Sequence, residues 1–291
     1  MTTVAEASTV EAATGAPRFL WLDLTRKCQL SCGHCYNASG PDGDHGAMTG
    51  DDWKGVLDQA VSVGVPGVQF TGGEVTMRPD APELVNCVLS LGLKVEVYSN
   101  LVHVTEEWWG LLQRDGVTLA TSYYSDQSAE HDAMTGRPSH ARTRANIGKA
   151  VQLGIPLRVG LIAGDDARRA DEAERELHAL GVTSIRRYHV RPFGRGSTGS
   201  APDMGGLCGR CGDGRAAIGP NGDVSPCVFS TAWSVGNVQA ASLADILGGA
   251  AMASAQASIR DAVASGTKPC TPDTDDECTP GTPGSECTPR N

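Results

Sequence analysis

Six short apolar or β-branched runs alternate with segments of helical period between residues 19 and 190. The runs are FLWLDLT (19–25), GVQFT (67–71), KVEVYS (94–99), VTLATSYY (117–124), PLRVGLI (156–162) and SIRRYHV (184–190). Each intervening helical segment ends at a glycine, which readily adopts the left-handed turn that closes a helix. Strand–helix–strand repeats predict βαβ units and a parallel sheet. Because a closed TIM barrel needs about eight strands, the pattern predicts an α/β fold with a partial (β/α)6 barrel.

Changes in composition divide the chain into four predicted regions. Residues 1–17 are small and polar and are expected to form a disordered leader. Residues 18–194 form the barrel core, and the Gly/Ser/Pro-rich stretch 191–206 ends the repeat. Residues 195–267 are predicted to be a smaller domain with a β-hairpin that turns at Pro220-Asn221-Gly222, followed by alanine-rich helices. Residues 268–291 form a tail that repeats Cys-Thr-Pro three times.

The ten cysteines are many for a chain that shows neither a secretion signal nor an apolar run of the ~18 residues that a membrane span needs. We therefore expect a cytoplasmic protein without a membrane partner, in which thiols bind metal or do redox work. The net charge of −10 argues against a broad nucleic-acid-binding surface.

Three cysteines directly follow the first predicted strand, as Cys28, Cys32 and Cys35. Parallel α/β barrels place their chemistry on such loops. Structural zinc normally takes four ligands, so a zinc site here would need a further ligand such as His34. A 4Fe–4S cluster held by three cysteines instead leaves one iron with an open coordination position. Structural zinc and a chance grouping of thiols are the alternatives.

The Cx3Cx2C spacing after a first strand resembles the radical S-adenosylmethionine (radical SAM) superfamily. Further similar motifs follow in order at the ends of later strands: Gly72-Gly73-Glu74, Ser99-Asn100, Ser122 and GLIAG (160–164). Each is a weak signal alone, since strand-end turns and polar strand caps look alike, but their common order is specific.

The resemblance implies roles for these residues. Cys28, Cys32 and Cys35 would hold a 4Fe–4S cluster whose open iron binds the methionine part of S-adenosylmethionine (SAM). Gly72, Gly73 and Glu74 would meet the methionine amino group, Ser99 and Asn100 the ribose, and Ser122 another polar part of SAM. The family often has an aromatic residue before the third cysteine; here His34 would lie beside the adenine and pack rather than bind metal.

The same resemblance implies the chemistry. One electron from the reduced cluster would cleave SAM to methionine and a 5′-deoxyadenosyl radical, which abstracts a substrate hydrogen. A low-potential electron donor, flavodoxin or ferredoxin, would be the redox partner.

A second cysteine group begins after the linker, with Cys208, Cys211 and Cys227. The motif around it is similar to the SPASM or shorter Twitch domain, which holds auxiliary 4Fe–4S clusters. Cys270, Cys278 and Cys287 would complete the ligands, although their spacing departs from the full SPASM pattern, so one or two auxiliary clusters are implied. A zinc ribbon is the alternative for the first three cysteines, and a non-ligating tail is the alternative for the last three.

Several other residues lie in predicted helices, loops or strand ends of the barrel. Cys87 is expected to be a small core hydrophobe, and a thiol hydrogen donor, as an epimerase would need, is the alternative. At least one of Trp108 and Trp109 is expected to pack in the core. His131, Asp132 and Arg137 follow the fourth strand and are interpreted as surface-loop residues, with a position facing the pocket as the alternative. The remaining candidate for the site is Arg191, at the end of the sixth strand.

The leading functional hypothesis is an oxidoreductase-type radical SAM enzyme that modifies a ribosomally made peptide by crosslinking, thioether formation or epimerisation. Because few residues precede the first strand, we expect a separate leader-peptide-binding partner. The alternative is a dehydrogenase or epimerase of a small molecule such as an aminocyclitol or sugar. A hypothesis of another class is a non-catalytic zinc or redox-sensing module.

Overall fold

The computed structural model describes residues 19–162 and 167–265. The predicted leader, and the tail with Cys270, Cys278 and Cys287, lie outside the described residues. All six predicted parallel strands are present, with ends within two residues of the predicted ones. They are β1 (Phe19–Asp23), β2 (Gly67–Thr71), β3 (Lys94–Tyr98), β4 (Val117–Tyr123), β5 (Leu157–Ile162) and β6 (Ser184–Tyr188).

Helices connect these strands and cover one face of the sheet. They are α1 (Gly50–Ser62), α2 (Ala81–Ser90), α3 (Glu106–Leu112), α4 (Ser128–Thr135), α5 (His140–Gln152) and α6 (Ala167–Ala179). The five glycines predicted to close helical segments all have φ between +67° and +91°; they are Gly64, Gly92, Gly116, Gly154 and Gly181. The sequence pattern did not predict α4, which has little amphipathic character.

The C-terminal part adds a hairpin and two helices. The strands are β7 (Arg215–Ile218), β8 (Asp223–Ser225) and the two-residue β9 (Gly236–Asn237), and the helices are α7 (Leu243–Leu247) and α8 (Ala250–Ser265). The hairpin and the alanine-rich helices match the prediction. Among the residues that the structure describes, none of the helices is sufficiently long and apolar to span a bilayer.

The hairpin continues the barrel sheet. The strand order is β6-β5-β4-β3-β2-β1-β7-β8-β9, and β7 pairs with β1 in parallel, with Leu20 beside Ala216 and Leu22 beside Ile218. The sheet is open and mostly parallel, as the partial (β/α)6 barrel requires. The domain boundaries stay a prediction, but strand pairing joins the two parts.

The two faces of the sheet differ in chemistry. Residues such as Leu22, Phe70 and Val97 pack under the helices in the main hydrophobic core. Alternate residues point to the inner face of the barrel, where Trp21 lies beside Gln69 and Gln69 beside Glu96. The inner face is therefore polar in places, and the carboxyl ends of its strands carry the candidate site.

Candidate active site

The loop from Thr25 to Gly40, called the three-cysteine loop below, lies at the carboxyl end of β1. It lines one cavity together with residues from the ends of β2, β3 and β4. Eight of the residues predicted from sequence contribute to the lining of this cavity: Cys28, Cys32, His34, Cys35, Gly72, Gly73, Asn100 and Ser122. The structure therefore brings motifs separated by almost a hundred residues to one place.

Gly72 and Gly73 allow β2 to end directly against the three-cysteine loop. Gly73 N–H donates to the Thr25 carbonyl at 2.6 Å, and Glu74 N–H donates to the Lys27 carbonyl at 2.8 Å. A Cβ on Gly73 would lie 2.2 Å from the Lys27 carbonyl oxygen, and Gly72 has φ of +140°, which disfavours a side chain. The loop before Cys28 thus requires both glycines.

Glu74 lies behind the cavity lining. Its carboxylate accepts hydrogen bonds from Ser99 Oγ and the Asn100 N–H, both at 2.8 Å, and from Thr76 Oγ1, also at 2.8 Å. Burial raises the pKa of Glu74, while these donors oppose the rise. In this arrangement Glu74 and Ser99 join the ends of β2 and β3 and hold the Asn100 backbone in place, rather than lining the cavity themselves.

Asn100 and Ser122 face the cavity from neighbouring strand ends. The side-chain amide of Asn100 exchanges hydrogen bonds with that of Gln29 at 3.1 and 3.2 Å, and its Nδ2 lies 3.6 Å from Cys28 Sγ. Ser122 Oγ lies 2.9 Å from the Tyr98 hydroxyl. Asn100 therefore places a polar group beside Cys28, and Ser122 adds a hydroxyl to the cavity lining.

Three rings form one wall of the cavity. His34 and His131 each contact Tyr124, with centroids 4.8 and 5.1 Å apart. Burial lowers the pKa of both histidines to about 4, aided by Arg195 at His34 and by His140 at His131. Both imidazoles are therefore neutral at pH 7.

Several ring nitrogens of this wall lack a hydrogen-bond partner. Both nitrogens of His34 and Nδ1 of His131 are buried and unpaired. Buried polar atoms are normally hydrogen-bonded, so this wall suits a ligand that offers hydrogen-bonding groups and a flat apolar face. The interpretation of His131 as a surface residue is wrong, since it lies in α4 and is 1% exposed. The error arises because the sequence pattern does not predict α4.

The three thiols line the same cavity, as the ligands of one iron–sulfur cluster must. Burial raises the pKa of Cys28 and Cys32 to about 12, and burial also raises that of Cys35. Neutral buried thiols lose their protons when metal coordinates them. No three Cys, His, Asp or Glu side chains within residues 19–162 and 167–265 have the arrangement of a single-ion site.

Cys208, Cys211 and Cys227 form a second thiol group beside the hairpin. The Sγ atoms of Cys211 and Cys227 are 3.2 Å apart, and both residues are buried. A hydrogen bond from Cys211 lowers the pKa of Cys208, and Arg215 favours the thiolate further. Three convergent thiols in an apolar surrounding can hold one face of a cluster; the described residues do not include Cys270, Cys278 or Cys287.

Arg195 is a residue that sequence reasoning did not single out. Its backbone N–H donates to the Cys35 carbonyl at 2.9 Å, and its guanidinium donates to the carbonyls of Cys32 and Ser39, each at 2.7 Å. Arg191, the candidate predicted at the end of the sixth strand, instead lies over the Phe229 ring, 5.4 Å from its centroid.

Two groups of buried or half-buried thiols, one of them at the carboxyl ends of the strands of an open (β/α)6 barrel, are the arrangement expected of an iron–sulfur protein. Residues 22–177, more than half of the chain, match the family model of the Radical SAM superfamily, and residues 208–278 match SPASM, an iron–sulfur cluster-binding domain. The chain belongs to the Radical SAM superfamily. Its cofactors are accordingly a 4Fe–4S cluster and SAM, with iron–sulfur binding in the SPASM region. Membership sets aside the non-catalytic zinc or redox-sensing hypothesis.

Characterised relatives share only part of their length with this chain. The AdoMet-dependent heme synthase of Methanosarcina barkeri is 30% identical over 191 residues, which cover 64% of this chain and 54% of that protein. The PqqA peptide cyclase of Streptomyces rochei is 31% identical over 153 residues, covering 52% and 42%. The chain thus spans about half the length of the curated relatives it matches.

The fold is also that of solved structures. The crystal structure of Streptococcus suis SuiB bound to precursor peptide SuiA aligns with a TM-score of 0.71 at 17% identity, covering 84% of this chain and 67% of SuiB. This similarity confirms the partial barrel with its C-terminal addition.

Proposed function

We propose that this protein is an oxidoreductase-type radical SAM enzyme that modifies a ribosomally synthesised peptide. The observation that carries the proposal is the cavity in which the three-cysteine loop meets Gly72, Gly73, Asn100 and Ser122. When bound there, the reduced cluster supplies the electron that cleaves SAM to methionine and a 5′-deoxyadenosyl radical, which takes a hydrogen atom from the substrate. The chain's own residues bind and orient SAM and the substrate, and they exclude water.

Each part of the cavity has a task in this proposal. Cys28, Cys32 and Cys35 would hold the 4Fe–4S cluster. The ends of β2 and β3, joined through Glu74, bind the methionine and ribose parts of SAM with Gly72, Gly73 and Asn100. Ser122 adds a hydroxyl from β4. The neutral ring wall of His34, Tyr124 and His131 receives a flat, uncharged face such as adenine.

The second thiol group is proposed to hold at least one auxiliary 4Fe–4S cluster. Cys208, Cys211 and Cys227 supply three ligands at one place. Cys270, Cys278 and Cys287 are the candidates for the remaining ligands of one or two clusters. Such a centre accepts or supplies electrons during a net oxidation, and a flavodoxin or ferredoxin is the proposed low-potential donor.

Two similar proteins support a peptide substrate, because their descriptions include a peptide. The PqqA peptide cyclase is one, and SuiB is seen with its precursor peptide in a crystal structure of the same fold. A separate leader-peptide-binding protein that presents the substrate is part of the proposal.

A small-molecule reaction is the second candidate. It is favoured by the similarity to the AdoMet-dependent heme synthase, whose name gives a product that is not a peptide. A dehydrogenase or epimerase of an aminocyclitol or sugar belongs to this class.

Anaerobic reconstitution tests the enzyme. We expect a brown protein with roughly eight irons if one auxiliary cluster is present, which releases 5′-deoxyadenosine from SAM after reduction. The triple variant Cys28→Ala/Cys32→Ala/Cys35→Ala should lose this release and keep the auxiliary iron. Cys87→Ala is the matched control, since Cys87 packs at the edge of the main core, as predicted, and lies in neither thiol group.

The outcomes separate the hypotheses. Loss of all iron in the triple variant would contradict two independent sites, and a colourless wild-type protein without SAM cleavage would contradict the enzyme. A mass change in a short precursor peptide encoded next to the gene, measured by mass spectrometry with SAM and reductant, supports the peptide. Turnover of an aminocyclitol or sugar without any peptide change supports the second candidate.

A further inference from the structure

The segment Gly194-Arg195-Gly196 joins the barrel to the C-terminal part and packs against the three-cysteine loop. Backbone approaches backbone here: a Cβ on Gly194 would lie 2.2 Å from the Tyr36 carbonyl oxygen and 2.4 Å from that of Cys35. Gly194 also has φ of +54°. Any side chain at this position would push the segment off the loop, so the sequence permits the contact only through glycine.

Arg195 uses this approach to make three hydrogen bonds to the loop. Its N–H, Nε and Nη2 donate to the carbonyls of Cys35, Cys32 and Ser39 at 2.9, 2.7 and 2.7 Å. Two of these carbonyls belong to cysteines of the loop. The planar guanidinium fork fixes the distance between the Cys32 and Ser39 carbonyls, which a flexible side chain would leave free.

The guanidinium also brings a permanent positive charge to the loop. Its Nε and Nη2 lie 2.7 Å from the carbonyl oxygens of Cys32 and Ser39, so the charge lies against the backbone of the loop. Arg195 is half-buried, so water screens this charge less than it would at the surface.

Contacts from other sides also hold the loop. Gly73 and Glu74 bond to the loop before Cys28, and the end of α4 bonds to it between the cysteines, where Ser31 N–H and Gly33 N–H donate to the carbonyls of Thr135 and Met134. Arg195 is the contact from the C-terminal side. Its guanidinium is the cation among these three supports.

We propose that Arg195 is a positioning residue that holds the three-cysteine loop in its cluster-binding shape and sets the charge beside the cluster. This inference rests on the proposed cluster site at Cys28, Cys32 and Cys35. A cation next to an iron–sulfur cluster stabilises the reduced, more negative form and raises the reduction potential. The segment that joins the barrel to the C-terminal part thereby tunes the core cluster.

The test is a redox titration of the anaerobically reconstituted full-length protein, followed by electron paramagnetic resonance. The core cluster is identified as the one whose spectrum changes when SAM is added. Arg195→Gln should shift its midpoint potential to a more negative value and leave that of the auxiliary cluster unchanged. Arg175→Gln is the control, because it removes the same charge from an exposed position on α6.

Arg195→Lys separates charge from geometry. Lysine keeps the positive charge but cannot present the planar fork to two carbonyls. We expect a midpoint potential close to wild type together with faster loss of core iron to a chelator. If Arg195→Gln loses the core cluster but keeps auxiliary iron, this selective loss supports the positioning role. The midpoint potential of the core cluster is then measured on Arg195→Lys.

Three results would overturn the proposal. The first is an Arg195→Gln protein with the potential and iron retention of the Arg175→Gln control. The second is unfolding of both Arg195 variants, seen as loss of helical circular dichroism, which would make Arg195 a general stabilising residue. The third is a wild-type protein without a SAM-sensitive signal, which would overturn the proposed function as well; the first two leave that function intact.

Discussion

Glu96 and Arg158 form a buried ion pair on the inner face of the barrel. Arg158 Nη2 and Nε donate to the two carboxylate oxygens of Glu96 at 2.7 and 3.2 Å, and the side chains are 12% and 9% exposed. Removing one partner of a buried pair leaves an uncompensated charge, whereas removing both does not. A single substitution of Glu96 or of Arg158 is therefore expected to destabilise the fold.

Glu96→Gln is accordingly expected to lower the free energy of unfolding by about 3 kcal/mol, measured by urea denaturation. The double variant Glu96→Gln/Arg158→Met should recover much of this loss. Glu106→Gln is the matched control: it breaks the exposed pair with Lys149, 3.1 Å apart, and should cost less than about 1 kcal/mol. Equal losses in the two single variants would contradict the buried-pair argument.

His131 makes stability depend on pH. Its pKa is lowered from 6.5 to about 4 by burial and by His140. The unfolded chain therefore takes up a proton first as the pH falls below 6.5, and the folded state loses stability between pH 6.5 and pH 4. From pH 7 to pH 5 this group alone should remove about 2 kcal/mol.

His131→Phe keeps a ring in contact with Tyr124 and removes the titration. Urea denaturation of the metal-free, reduced protein at pH 7 and pH 5 should show a smaller loss of stability for the variant than for wild type. The same loss in both proteins would mean that His131 does not carry the dependence.

At the level of the elements, the junction between β2 and the three-cysteine loop depends on the absence of a side chain at residue 73. Gly73→Ala would place a Cβ 2.2 Å from the Lys27 carbonyl oxygen, so the loop must move. We expect the variant to lose iron from the core site and keep auxiliary iron, measured by iron analysis and electron paramagnetic resonance.

Gly55→Ala is the control for this variant. A Cβ at Gly55, within α1, meets no atom within 4 Å, and alanine in a helix should stabilise the protein by about 0.5–1 kcal/mol. Full core iron in Gly73→Ala would show that the loop adapts and that the close approach is not required.

Local signals in the sequence explain which elements could be predicted. The strands are apolar runs and their helices end at glycines, so both follow from short windows of residues. The helix α4 was missed because SAEHDAMT lacks an apolar period and Gln127 gives no side-chain cap. Both Trp108 and Trp109 are 3% exposed, which confirms and extends the packing expectation.

The site could be predicted only where it follows strand ends. The carboxyl ends of the parallel strands of a barrel all lie on the same side. The sequence therefore predicts that Cys28, Gly72, Asn100 and Ser122 lie close together. The contact of Arg195 with Cys32 spans 163 residues and depends on how the linker folds back, which no local pattern encodes. For the same reason the sequence points to Arg191, which follows the sixth predicted strand, and not to Arg195 in the linker.

At the scale of the whole molecule, one strand pair links the two thiol groups. β1 leads into the three-cysteine loop, and β7 begins the hairpin that carries Cys227. Ring contacts add to this link: Tyr36, next to Cys35, lies 5.1 Å from Phe229, two residues after Cys227. The two proposed redox centres are therefore fixed to one continuous sheet.

This continuity predicts that the barrel core does not fold alone. A chain truncated after Gly206 keeps Arg195 but loses β7, so β1 becomes an unpaired edge and the apolar residues around Trp21 and Phe193 lose their cover. Exposed edges of this kind pair with other chains. We expect the truncated protein to aggregate in size-exclusion chromatography and to lose helical circular dichroism on dilution from denaturant.

The full-length variant Cys208→Ser/Cys211→Ser/Cys227→Ser separates strand pairing from cluster binding, because it removes the auxiliary thiols and retains β7. It should keep the elution volume and circular dichroism of wild type while losing auxiliary iron. A truncated core that is monomeric and folded would instead show that residues 195–267 are a separable domain, as the sequence boundaries alone predict. Aggregation of both proteins would mean that the auxiliary cluster, and not the pairing of β1 with β7, holds the C-terminal part on the barrel.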